Sequence, residues 1–115
     1  MNIFSRELIA ASSIPLVLAV LSRGENYGYD IIRQIRDASD GEVQFSDGTL
    51  YPVLRKLEDK KMISSEWKIA DNEKRRRYYT LTKTGNEYFR QEKATWDFMD
   101  GLLEKLWKPA TIIVA

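Results

Sequence analysis

Two clusters of side chains near the middle of the chain are suited to recognition chemistry. In Ser46-Asp47-Gly48-Thr49-Leu50-Tyr51-Pro52-Val53-Leu54-Arg55-Lys56-Leu57-Glu58, the hydroxyl of Thr49, the phenol of Tyr51, the guanidinium of Arg55 and the ammonium of Lys56 are left on one side, and Lys60 follows one turn later. Farther on, Lys74-Arg75-Arg76-Arg77 sets four cations in succession. Such groups donate hydrogen bonds to phosphate oxygens and base edges, which is the chemistry of nucleic-acid recognition. Catalysis has little to work with. The chain has no histidine and no cysteine, which removes the commonest general base, the commonest metal ligand and all disulfides. Its carboxylates and lysines form no nucleophile–base constellation. Neither an enzyme nor a bound metal or cofactor is expected.

An element must hold the first cluster. Leu50, Val53, Leu54 and Leu57 recur at helical spacing and give one apolar face. Ser46 or Asp47 can cap that helix, Gly48 lets another backbone approach, and Pro52 lies early enough for its missing N–H to do little harm. Thr49 and Tyr51 then occupy the outward early turn, where base edges and phosphates are reached, and Arg55 is the third candidate for groove contact. Lys56 and Lys60 suit phosphate. An amphipathic helix with a solvated polar face has the same pattern, so the stretch alone does not decide between the two.

The second cluster sits on a different period. Ile63, Ser65, Trp67 and Ile69 alternate with Ser64, Glu66 and Lys68, the pattern of a half-buried strand. Ala70-Asp71-Asn72-Glu73-Lys74 is a polar turn. Arg75-Arg76-Arg77 enters a second strand, Tyr78-Tyr79-Thr80-Leu81-Thr82, in which one tyrosine belongs to the core. The cations of this hairpin either meet phosphate or keep an exposed edge soluble. The net charge of +1 hides a local excess: residues 1–54 carry four basic against seven acidic side chains, whereas residues 55–77 carry nine against five. Positive charge therefore begins inside the first cluster and runs through the hairpin.

The remaining elements are read around these two. The 115 residues suffice for one domain with a real core, and 43% hydrophobic with 30% charged residues is the balance of a soluble globular protein. The start lacks a signal-peptide pattern and the apolar run Ile14–Leu21 is too short to span a bilayer, so a cytoplasmic location with no membrane partner follows. Residues 5–22 read as helical, with Leu8, Ile9, Ile14, Val17, Leu18 and Leu21 apolar. They form either an arm and a helix begun at Ser12 or Ser13, or one helix kinked at Pro15. Gly24 stops it. A second helix runs from about Tyr27 to Ala38 with Tyr27, Ile31, Ile32 and Ile35 inward, although the Tyr27 hydroxyl suits DNA phosphate equally well. Ser39-Asp40-Gly41 ends it, and an extended piece, Glu42–Phe45, leads on.

Helix, helix, helix, hairpin is the order of a winged helix, in which the third helix enters the major groove and the hairpin reaches the flanking backbone. The expected fold is mainly α with a small β-hairpin. A winged helix-turn-helix domain fills residues 1–83, with 1–12 as an arm or helix, followed by a long C-terminal helix over 84–108 and a tail over 109–115. In that last helix Phe89, Trp96 and Leu103 recur every seven residues, with Met99 and Leu106 at complementary positions and Tyr88, Thr95 and Leu102 widening the stripe. A small winged domain cannot cover a helix of this length. Dimerisation through Phe89, Trp96, Met99, Leu103 and Leu106 is expected, an intramolecular core helix being the alternative. A two-fold dimer presents two recognition helices to a pseudo-palindromic double-stranded DNA site.

The same residues carry a family resemblance. Asn26-Tyr27-Gly28-Tyr29-Asp30-Ile31, then Gly48 to Glu58, then Arg76-Arg77-Tyr78-Tyr79-Thr80-Leu81-Thr82-Lys83-Thr84-Gly85 resemble the signature blocks of PadR-like transcriptional regulators. Glu7-Leu8-Ile9-Ala10-Ala11 is similar to the opening of one branch. The blocks stand in the family's order and cover about residues 5–107, and the short length resembles the subfamily with a single carboxy-terminal helix. The resemblance implies a dimeric winged-helix repressor whose operator affinity falls when a small ligand binds. In multidrug-sensing members, a tryptophan at the place of Trp96 stacks on flat aromatic ligands at the dimer centre. By that resemblance Phe89, Trp96, Met99 and Asp100, with Asp97 nearby, would line a site for a planar aromatic effector. A tryptophan buried in a dimer core is the other reading of Trp96. At the wing tip the chain departs from many relatives, since Asp71-Asn72-Glu73-Lys74 has neither glycine nor proline. Two functions stay open: a DNA-binding repressor, and a winged-helix protein- or ligand-binding module without operator binding.

Overall fold

The computed structural model describes residues 5–109. Its elements run α1 (Arg6–Ser22), β1 (Asn26–Tyr27), α2 (Gly28–Ala38), α3 (Asp47–Asp59), β2 (Ile63–Ile69), β3 (Arg75–Leu81) and α4 (Lys83–Trp107). The first residues of the expected arm and the apolar tail from Ala110 lie outside the described residues.

The choice between an arm and a single helix at the amino end is settled by α1, which runs through Pro15. Ser5 caps it, not Ser12 or Ser13: the Ser5 Oγ accepts a hydrogen bond from Leu8 N at 3.0 Å. Ser12 and Ser13 donate their hydroxyls back to the carbonyls of Leu8 (2.7 Å) and Ala10 (2.9 Å), a local bond that keeps serine satisfied inside a helix. Pro15 has no N–H for the carbonyl of Ala11. The helix persists because Val17, Leu18, Val20 and Leu21 just beyond it are buried, and tertiary packing of an apolar face outweighs one lost backbone bond.

The core is made where α1, α2 and α3 meet: Val17 and Leu18, Ile31 and Ile35, and Leu50, Leu54 and Leu57 are all buried. In α2 and α3 these residues stand three or four apart, which is why one side of each helix is apolar and the other is free. Ser46 caps α3 by accepting from Thr49 N at 3.2 Å. The helix closes with Lys61 at φ 60° and with Met62 N donating to the Leu57 carbonyl at 2.9 Å, so a lysine takes the left-handed position that glycine usually fills. The stretch 42–45 is not a strand, though Phe45 is buried in the core.

The hairpin is joined by a strand too short to show any period. Asn26 and Tyr27 pair antiparallel with Tyr79 and Tyr78, so the sheet has three strands in the order β1-β3-β2. Tyr27 is thus the residue before α2 and not part of its inner face. The β2–β3 ladder runs from Ile63 opposite Leu81 to Ile69 opposite Arg75. Ile63 and Tyr79 are buried, but Trp67 and Ile69 are 57% and 76% exposed, against the expectation of a strand half-buried along its length. The alternation is real. What it lacks is a cover, because the outer half of the hairpin extends past the helices.

Gly85 fixes where the last helix leaves the domain. A Cβ at this position would stand 1.8 Å from the carbonyl oxygen of Met62. From the other side of the junction Thr82 donates its N–H to the same oxygen (3.0 Å) and its hydroxyl to the Lys61 carbonyl (2.7 Å), and caps α4. Only the first turns of α4 reach the core, through Tyr88 and Phe89. From Lys93 to Pro109 every residue is exposed. The radius of gyration, 17.6 Å, exceeds the roughly 13 Å of a compact chain of this size.

Because the oxygen against Gly85 belongs to the backbone, Gly85→Ala cannot be absorbed by a rotamer change. Its urea midpoint should fall by the equivalent of about 3 kcal/mol. An unchanged midpoint would show that the junction opens without cost.

Candidate nucleic-acid interface

The outward face of α3 carries Thr49, Tyr51, Pro52, Arg55, Lys56 and, just past its end, Lys60. All are exposed except Thr49, which is half-buried. Ser46 is held in its capping role, its Oγ 3.1 Å from the Thr49 hydroxyl. Gly48 has open space where its side chain would be, the nearest atom being the Ser46 Oγ at 3.7 Å, so no backbone of this chain exploits its smallness. Tyr51 leans over the start of α2: a Cβ on Gly28 would lie 2.6 Å from its hydroxyl. Tyr51 therefore links two helices while remaining 45% exposed. Among the described residues, Arg55, Lys56, Lys60 and Lys74 form no ion pair.

The wing does not present its cations as one patch. Strand alternation puts Arg75 and Arg77 on the face of β3 that carries Tyr79, and Arg76 on the opposite face with Tyr78. Arg75 lies over the Trp67 ring with its guanidinium carbon 5.2 Å from the centroid, and Arg76 lies over Tyr27 at 4.3 Å. Tyr27 in turn meets Tyr78 edge to face at 5.4 Å. Arg77 is not the free cation that a run of charges suggests: it donates to Glu58 of α3 and to Ser65 of β2. On the far face, Lys68 is bound by Glu25 (2.7 Å) and by Glu66 (3.2 Å), and these bonds raise its pKa above the ordinary lysine value. The tip closes without glycine or proline. Glu73 adopts φ 63°, the Ala70 N–H reaches the Lys74 carbonyl (2.8 Å), and the Asn72 side chain accepts from Lys74 N (3.1 Å).

Between the wing and the helices runs a groove in two parts. One part, about 390 Å³, is bounded by Tyr27 to Tyr29, Tyr51, Trp67 and Arg75 to Arg77. The other, about 520 Å³, is bounded by Tyr51, Arg55, Glu58, Asp59, Arg77 and Tyr79. Asp30 braces the α2 side. Burial pushes its carboxyl pKa up, but hydrogen bonds from Asn26 (2.7 Å), Gln34 (2.9 Å) and Arg33 Nε (2.7 Å) prevail and hold it below the usual carboxylate value. The floor of the groove is the buried ring of Tyr79, whose hydroxyl pKa is raised by that burial.

The second candidate surface is on α4. Trp96, Met99, Leu103 and Leu106 are all at least 40% exposed, and Phe98, Leu102 and Trp107 broaden the apolar strip. Phe89, grouped with them by its heptad position, packs half-buried against the chain's own core. Asp97 is paired with Lys93 at 3.4 Å. Asp100 is exposed. The carboxylate in contact with the Trp96 indole is Glu92, which accepts from Trp96 Nε1 (3.2 Å) and from the Tyr88 hydroxyl (2.7 Å). The spacing Tyr88, Glu92, Trp96 at successive i, i+4 steps is the sequence signal that points to it.

Three helices buried on one side, a three-stranded sheet, and a cationic hairpin beside an exposed third helix define a winged helix-turn-helix protein. The chain belongs to the PadR-like family of transcriptional regulators, whose family model matches residues 17–91. Membership implies regulation through DNA binding. A transcriptional regulator from Clostridium thermocellum is 29% identical with a TM-score of 0.79, over 89% of this chain and 99% of that one. A PadR family transcription regulator from hypervirulent Clostridium difficile R20291 is 27% identical with a TM-score of 0.75, over 84% and 99%. The transcriptional regulator YqjI of Escherichia coli is 27% identical over 78 residues, which span 68% of this chain but only 36% of that protein. No helix among the described residues is long and apolar enough to cross a membrane.

Proposed function

We propose that this chain is a homodimeric, ligand-responsive repressor that binds a pseudo-palindromic duplex. The observation that carries the reading is the set of exposed, unpaired cations on and beside α3, set against a helix whose other face is sealed in the core. In this reading Thr49, Tyr51 and Arg55 meet base edges, while Lys56 and Lys60 meet phosphate. Ser46, Gly48 and Pro52 shape the start of the reading helix. On the wing, Lys74, Arg75 and Arg76 lie toward the flanking backbone, and Tyr27 supports Arg76. Residues 1–83 act as the reader and 84–108 as the pairing helix. No catalytic step is involved.

Dimerisation is supported by the uncovered strip of Trp96, Met99, Leu103 and Leu106, since an apolar helix face of this extent needs a partner in water. A second copy supplies one, with Phe89 at the inner end of the contact. The effector site is proposed at the same place. The exposed Trp96 face, Met99 and the carboxylates of Asp100 and Glu92 suit a planar aromatic cation.

Two measurements test these readings. Binding to a selected duplex should weaken steeply with salt, and replacing Lys56 and Lys60 together by alanine should make the log–log slope shallower by about 3.6, near 0.9 for each phosphate no longer neutralised, two from each protomer of the dimer. A slope equal to wild type would take these lysines off the DNA, and absence of any duplex binding would favour the reading as a protein- or ligand-binding module. For the effector, titration with a planar aromatic cation should quench tryptophan fluorescence in wild type and not in Trp96→Ala. Equal quenching in both, with Trp67 and Trp107 still present, would contradict the site.

A further inference from the structure

We propose that Arg77 serves DNA recognition as a positioning residue acting through Glu58, and not as a contact to phosphate. The inference rests on the DNA-binding reading above and gives one wing cation a different part in it. Arg77 Nη2 donates to both carboxylate oxygens of Glu58, at 3.1 and 3.0 Å, and its Nε donates to Ser65 Oγ at 2.8 Å. Ser65 donates in turn to Glu58 Oε1 at 2.5 Å. The guanidinium carbon also stands 5.7 Å from the centroid of the buried Tyr79 ring. Side chains from α3, β2 and β3 thus close a ring of hydrogen bonds. The ring ties the wing to the last turn of the reading helix.

The consequence concerns Arg55. Glu58 follows it by three residues, and side chains three apart on a helix are neighbours. Both border the same half of the groove. With Arg77 in place, the oxygens of Glu58 are occupied, and Arg55 makes no ion pair among the described residues. Without Arg77, the carboxylate keeps only the Ser65 hydroxyl and faces the groove with no cation on it. It can then draw Arg55 away from DNA, and it repels the phosphates beside it. A partly exposed ion pair adds little to fold stability, so what the ring governs is where the charges point. Arg77 has its Nε and Nη2 donors engaged by Ser65 and Glu58, and Arg75 remains as the cation of that face for phosphate.

The test is binding of the full chain to a duplex it selects from a random pool, measured across a salt series for wild type, Arg77→Met, Glu58→Gln and the double variant. Arg77→Met should weaken binding about tenfold, the scale of coupling within one hydrogen-bonded network, with the salt slope of wild type. Adding Glu58→Gln should recover most of that loss, because the carboxylate that needed an occupant is gone. Arg77→Lys, which keeps the charge but loses the planar fork, should also bind more weakly at unchanged slope, and it carries the comparison if Arg77→Met does not fold. A slope shallower by about 1.8 in Arg77→Met, near 0.9 for each protomer of the dimer, with the same loss whether residue 58 is Glu or Gln, would make Arg77 a phosphate contact and overturn the proposal. If wild type selects no duplex, the DNA-binding reading itself fails and this inference falls with it.

Discussion

The place of β3 between β1 and β2 is the constraint on which the groove depends. Paired on both sides, β3 cannot slide without breaking two ladders, and a slip of one residue would turn every side chain to the opposite face. Tyr79 decides which register is kept, because its ring is buried and no other residue of the strand reaches so far into the core. Arg75 and Arg77 must then share its face, and Arg76 must leave it. From that point the wing's chemistry follows residue by residue: Arg77 meets Glu58, Arg75 meets Trp67, and Arg76 meets Tyr27.

The helices work under a complementary constraint. Leu50, Leu54 and Leu57 anchor α3 so completely that its polar side has no alternative but the surface. The chain as a whole is nearly neutral, yet the stretch from Arg55 through the hairpin to Arg77 carries nine basic against five acidic side chains. That arrangement suits steering toward phosphate without general adhesiveness. At the other end, Gly85 lets α4 start hard against the Met62 carbonyl, and the helix then runs clear of the domain with its apolar strip uncovered. The winged domain is compact, and the apolar strip stands apart from it.

Much of this is legible in the sequence, for identifiable reasons. The buried faces of α2 and α3 repeat at helical spacing, the hairpin alternates, and the order of elements is that of a winged helix; all three are local patterns. What escapes is non-local or too short. β1 has two residues and no period. Glu58 and Arg77 are joined only because α3 and the wing lie side by side, and nothing in either segment announces the pairing. Alternation reads Trp67 and Ile69 as half-buried, because a strand's pattern does not tell how far the covering helices extend. Pro15 marks a break that packing of the following turn overrides. Ser5, at the edge of the helix, has the same hydroxyl as Ser12 and Ser13, and only its position at the edge makes it the cap.

The central claim is that α3 reads duplex DNA from a two-fold dimer paired through α4. Hydroxyl-radical cleavage of a selected duplex in the presence of the full chain tests it most directly. The account predicts protection on both strands in two blocks related by a two-fold axis and centred a whole number of helical turns apart, about 10 base pairs or a multiple of that. A single unsymmetrical block, or a cleavage pattern unchanged by the protein, would contradict it.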